Sequence, residues 1–128
     1  MTDKFRLALL LWALAAQSLS GDCLHEIEVD AIVGAIYRVE GAERARVPYG
    51  ILSIKPTDPK IVRNPASYRA WAKRICQNTV RNNGRRWRAA GAPGCFLDFL
   101  GDVYCPKISD LTGNRNWKAN IHAILKHK

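Results

Sequence analysis

The sequence predicts a small α+β domain, mainly α-helical, behind a cleavable leader. Three observations carry this expectation. A short apolar run follows a basic N-terminus. Apolar residues recur at helical spacing in three later segments, and no segment shows clear strand alternation. Four cysteines follow the apolar run.

The leader comes first. Lys4 and Arg6 give a positive start, Leu7 to Ala16 is a run of ten apolar residues, and Ser18 and Ser20 are small residues at −3 and −1. This is the pattern of a secretory signal peptide cut after Ser20, leaving 21–128 as a single domain. An uncleaved anchor is the alternative, but spanning a bilayer takes about 20 apolar residues. Asp22 stands where a lipidated Cys23 needs a small neighbour. Export places the domain in the periplasm or cell envelope.

The chain has 20 Lys+Arg against 11 Asp+Glu; losing Lys4, Arg6 and Asp3 leaves 18 against 10, a net +8. A cationic exported domain is drawn to anionic polymers: cell wall, nucleic acid or membrane surface. In an oxidising compartment Cys23, Cys76, Cys95 and Cys105 suggest two disulfides, with three possible connectivities. The pairing favoured is Cys76–Cys105 with Cys23–Cys95, as structural staples. A zinc site fails on spacing: there is no C-x-x-C, and neither His122 nor His127 sits in a ligand motif.

The first helix is expected from His25 to Val39, with Ile27, Ile32, Ile36 and Val39 on one stripe and Glu26, Glu28 and Asp30 near its positive end. Gly41 marks its stop. A charged loop to Pro48 leads to a short helix or turn at Tyr49–Ile54. Pro56, Pro59 and Pro65 make the next stretch an extended connection, and 50–62 has room for a small hairpin. A long helix starts near Pro65, and Asn82-Asn83-Gly84 ends or kinks it. Gly91-Ala92-Pro93-Gly94 is a turn. Phe96–Leu100 is a short helix stopped by Gly101, and a last amphipathic helix runs from Asn116 to Lys126.

Glu40 is the residue that singles itself out. An acid is mildly unfavourable at a helix C-terminus, so its placement wants a reason. It lies four residues past Ile36, on the apolar face. A partly desolvated carboxyl is the setting a general acid needs.

Val39-Glu40-Gly41 followed by Tyr49-Gly50-Ile51-Leu52-Ser53 resembles the catalytic signature of lytic transglycosylases and goose-type lysozymes. That signature is a Glu ending a helix, then a Gly-Leu-Met-Gln-like turn. Leu100-Gly101-Asp102-Val103-Tyr104 is similar to the family's Ala-Tyr-Asn stretch, and Asn116 to Ile121 to its closing Tyr-x-x-Asn-Val helix. The resemblance covers about residues 25–126. It implies a lysozyme-like fold with Glu40 as the sole acid/base. It also implies that Tyr49, Gly50 and Ile51 floor the cleft and that Tyr104 is a cleft tyrosine. Ser53 stands for the usual Gln, Gly41 for the usual Ser, and Cys105 for the usual Asn.

The chemistry implied is cleavage of the β-1,4 bond between N-acetylmuramic acid and N-acetylglucosamine in peptidoglycan glycan strands, giving 1,6-anhydro ends. No paired carboxylate is evident. Glu43 reads as a solvated ion in a charged loop, and Asp58, Asp98, Asp102 and Asp110 show no paired setting. No metal and no organic cofactor is expected, and the enzyme is expected as a monomer. Its setting would be a secretion, conjugation or phage machine. A hydrolytic lysozyme is the alternative outcome. Another class is a non-catalytic cationic module for wall or nucleic acid, suggested by Arg81 to Arg88 with Trp87 interleaved. Export argues against a specific nucleic-acid partner. Trp87 is also the candidate for sugar stacking, whereas Trp71 and Trp117 read as core.

Overall fold

Proline and asparagine set where the middle helices begin. Asp58 caps Pro59–Arg63, its Oδ1 accepting from the Lys60 backbone N–H at 2.9 Å. Asn64 ends that turn of helix and starts the next, its Oδ1 accepting from Ser67 N–H at 3.1 Å. Pro65 supplies a pre-set first helical position without wasting a donor.

The computed structural model describes residues 27–126. The leader at 1–20 and Cys23 lie outside the described residues. Within them the order is α1 (Val29–Val39), two 3-10 turns (Ala42–Arg44 and Pro48–Gly50), α2 (Pro59–Arg63), α3 (Pro65–Ala89), α4 (Phe96–Tyr104) and α5 (Leu111–Lys126). The domain is small and mainly helical. No strand occurs among the described residues, so the expected β component and the hairpin at 50–62 are absent there. The reason is local: Pro56 and Pro59 lack the donors a ladder needs, and Asp58 starts a helix instead. No helix among the described residues is long and apolar enough to cross a membrane.

α1 packs against α3 and α5, and α5 also packs on α4. The core they enclose holds Ile32, Val33 and Ile36 of α1, Ala72, Cys76 and Val80 of α3, Phe96, Leu97 and Leu100 of α4, and Trp117 and Ile121 of α5. Each large apolar side chain so buried contributes about 1.5–3 kcal/mol.

Four boundaries differ from the sequence expectation. α5 begins at Leu111 and not at Asn116, with Asp110 Oδ1 accepting from Gly113 N–H at 2.8 Å in its first turn. α1 begins at Val29, after Glu28 in extended conformation. α3 runs unbroken through Asn82-Asn83-Gly84 to Ala89. Asn83 Nδ2 donates to Thr79 O one turn back at 2.8 Å, which satisfies it inside the helix. Gly84 faces Ile27, whose Cδ1 would lie 2.8 Å from any added Cβ. The glycine permits close packing here; it does not break the helix. Gly101 likewise does not stop α4. It is a notch where α4 crosses α5, with Lys118 Cγ 2.8 Å from the position of a Cβ.

Buried Asn114 ties these two helices at their ends. Its Nδ2 donates to Cys105 O at 2.7 Å and to Asp102 Oδ1 at 3.0 Å. Lys118 Nζ pairs with the same Asp102 oxygen at 2.8 Å. Hydrogen bonding from Lys118 holds the Asp102 carboxyl below its ordinary range.

Candidate active site

α1 ends at Glu40 because Gly41 follows in the left-handed conformation, with φ +107°. The chain then reverses through two 3-10 turns and returns to the end of α1. At the second turn two consecutive residues adopt positive φ: Tyr49 at +59° and Gly50 at +65°. A tyrosine in this region is strained. Burial holds it there: Tyr49 is 8 % exposed and packs on the Tyr37 ring, centroids 5.1 Å apart. The consequence is that Gly50 turns its bare α-carbon to the Glu40 carboxyl. A Cβ there would sit 2.5 Å from Glu40 Cδ.

On another side of the same carboxyl stands Trp117 of α5. Its indole Nε1–H donates to Glu40 Oε1 at 3.0 Å. The indole stacks on the Tyr104 ring at 5.3 Å and 15° between planes. Tyr104 in turn places its hydroxyl 3.3 Å from Cys76 Sγ. Glu40, Gly50, Trp117, Tyr104 and Cys76 thus form one connected group drawn from α1, the second turn, α5, α4 and α3.

Burial, then the neighbouring Cys76 and Glu40, pushes the Tyr104 phenol well above its ordinary value. The Cys76 thiol is pushed up to about 11, chiefly by burial, against a Tyr104 hydrogen bond that lowers it. Both therefore stay protonated at neutral pH. A thiol kept neutral by the fold favours folding below its unfolded value and loses that contribution as pH rises to its folded value. The expected result is a melting temperature that falls between pH 9.0 and about 11. The cost reaches about 2–3 kcal/mol. Cys76→Ala should flatten this alkaline slope in melts taken across that range.

A groove of about 200 Å³ opens beside the group, lined by Gly50, Ile51, Leu52, Ser53, Ile75, Thr79, Val103 and Tyr104. Four residues singled out in the sequence, Gly50, Ile51, Ser53 and Tyr104, therefore share one groove. Glu40 and Tyr49 do not line it: Glu40 lies behind Gly50, and Tyr49 is buried. Leu52 is 79 % exposed and Val103 45 % exposed, so the groove has apolar walls open to solvent.

Trp117 is the residue that sequence reasoning missed as part of the site. It was expected as core, and it is only 6 % exposed. No spacing rule links positions 40 and 117; only the α1–α5 packing does. Trp87, expected as a sugar platform, is instead buried, its Nε1–H donating to Pro93 O at 3.1 Å. Arg81, Arg85, Arg86 and Arg88 remain exposed around it.

The expected Cys76–Cys105 disulfide does not form: both thiols are free. Successive helical residues diverge by about 100°. Tyr104 therefore turns inward to Cys76 while Cys105 turns toward Asp110 O, 4.0 Å from its Sγ. Cys95 is disulfide-bonded; the Cys23 half of the Cys23–Cys95 expectation lies outside the described residues. Alkylation of the native protein should label Cys105 and spare fully buried Cys76 until the chain is unfolded.

Cys95, Asp98 and His122 bring one ligand atom each within 4.8 Å of one another. The Cys95 sulfur is committed to a disulfide, so the trio lacks the thiolate that a metal would require. What remains is a hydrogen bond between His122 Nε2 and Asp98 Oδ1 at 2.9 Å. Asp98 and Asp102 thus face His122 and Lys118. Glu43 is exposed, as expected.

Comparison with protein-family models, curated proteins and solved structures yields no match.

Proposed function

We propose that this protein is a peptidoglycan lytic transglycosylase with Glu40 as its single acid/base, built on a lysozyme-like helical scaffold. The observation that carries the reading is the seat of the Glu40 carboxyl. It is half-buried at a helix end, bonded by Trp117 and faced by Gly50, which is itself a wall of a groove that also contains Ile51, Ser53 and Tyr104.

The reaction follows from one carboxyl. Protonated Glu40 gives its proton to the glycosidic oxygen between N-acetylmuramic acid and N-acetylglucosamine. The bond breaks toward an oxocarbenium-like centre, which the substrate's own N-acetyl group stabilises, as in substrate-assisted enzymes. Ionised Glu40 then takes the proton of the muramic 6-hydroxyl, and that oxygen closes on C1. The product is a 1,6-anhydro end, and Glu40 is returned in its protonated state. Gly50 supports this by letting the acid lie directly against the turn that walls the groove, and the apolar walls at Leu52 and Val103 suit the faces of pyranose rings.

The test is digestion of purified peptidoglycan followed by mass spectrometry of the fragments. Anhydro-muramic ends are expected. Reducing muramic ends would make the protein a hydrolytic lysozyme. A second reading, a cationic wall- or nucleic-acid-binding module, is favoured by the exposed Arg81, Arg85 and Arg88 on α3. Retention on either polymer at physiological salt with no wall cleavage would select it. In the cell, a machine that must open the wall locally is the fitting partner.

A further inference from the structure

We propose that Trp117 is the positioning residue of Glu40: its indole N–H holds Oε1 and thereby assigns the transferable proton to Oε2. The inference rests on the acid/base reading of Glu40 and adds a residue to it.

The need for such a residue is physical. Glu40 is the cap of α1, where the last carbonyls of the helix carry partial negative charge. A carboxylate there is pushed toward solvent unless a donor retains it. The Trp117 Nε1–H is that donor, at 3.0 Å across 77 positions of sequence. It reaches Glu40 only because α5 packs on α1.

An indole differs from a hydroxyl in one useful respect: it donates and never accepts. The oxygen it binds is the acceptor in both protonation states of Glu40. In the acid form Oε1 is therefore the carbonyl oxygen and Oε2 carries the proton. The bare α-carbon of Gly50 packs against this carboxyl: the position of a Cβ there would be 2.7 Å from Oε2 and 2.9 Å from Oε1. Gly50 is itself a wall of the groove.

The indole is in turn held in place. Trp117 is buried, and its ring lies nearly parallel to Tyr104, another groove wall. Tyr104 is anchored at its hydroxyl by Cys76 in the centre of α3. Position thus passes from the core to the indole and from the indole to the carboxyl. Trp117 touches no reacting atom in this scheme.

The experiment has two arms on the full chain. In ¹H–¹⁵N spectra, the indole N–H resonance of Trp117, identified by its loss in Trp117→Phe, should move as Glu40 ionises. It should stay flat with pH in Glu40→Gln. In kinetics on peptidoglycan, Trp117→Phe keeps the aromatic stack and loses the donor. It should lower kcat by about 10–100-fold with KM unchanged, as loss of a hydrogen bond to a charged group predicts.

An indole resonance indifferent to both pH and Glu40→Gln overturns the inference. So does Trp117→Phe at wild-type kcat while Glu40→Gln is dead; the acid/base reading then survives alone. If wild type cleaves no wall, that reading falls and the positioning role falls with it. Should Trp117→Phe fail to fold, wild type and Glu40→Gln decide between them: an indole resonance that moves with pH only in wild type supports the inference, and the absence of one overturns it.

Discussion

Glu40→Gln should lower wall cleavage by roughly 10²–10⁴-fold, the span that positioned acid–base groups contribute. The amide keeps the shape of the side chain and still accepts from Trp117, so the fold has no reason to change. Melting curves should overlay those of wild type, and muropeptide release should fall to background. The comparison is informative because Glu40 makes no ion pair among the described residues. Its observed partners are an indole donor and the glycine that faces it. Were it a structural ion, its removal would register in stability and leave cleavage unaltered. Wild-type digestion by Glu40→Gln would end the proposed mechanism.

Gly50→Ala should be nearly as damaging, by a different route. At φ +65° an alanine is strained by roughly 1–2 kcal/mol. Its methyl would also meet Glu40 Cδ at 2.5 Å and Oε2 at 2.7 Å. The clash is with the end of a flexible side chain, so it is relieved by moving the carboxyl rather than by unfolding. Moving the acid by about 1 Å costs on the order of 10²-fold in rate. Gly94→Ala is the matched control. Gly94 also has φ +65°, but nothing lies within 4 Å of its added Cβ. The two variants should therefore lose similar stability in denaturant melts, while only Gly50→Ala loses cleavage. Equal activity in both would show that the space beside Glu40 is incidental.

Much of the helical layout was legible because burial on one face imposes a 3.6-residue period. Ile32 and Ile36 are both fully buried on α1, and Ile121 is buried on α5 as its spacing required. The boundaries were less legible where a residue has two physical uses. Gly84 and Gly101 read as stops, yet each is a point of close helix packing. Asn83 reads as a breaker, yet its side chain bonds back to Thr79. Pro56 and Pro59 were compatible with an extended stretch, and the Asp58 cap made part of it helical.

Taken alone, the sequence determined a small, basic, mainly helical domain and put an acid at the end of its first helix. It also placed Gly50 within ten residues of that acid, near enough for a short loop to bring them together. Only the tertiary structure decided what surrounds the carboxyl. The Trp117 indole arrives from 77 positions away, and Tyr104 and Cys76 pack behind it. It likewise decided that Cys76 and Cys105 do not pair, since their helices present them to different neighbours. Periodicity and turn chemistry act over a few residues and can be read in order along a chain. The company that Glu40 keeps depends on how α1, α3, α4 and α5 pack, and that packing has no local signature.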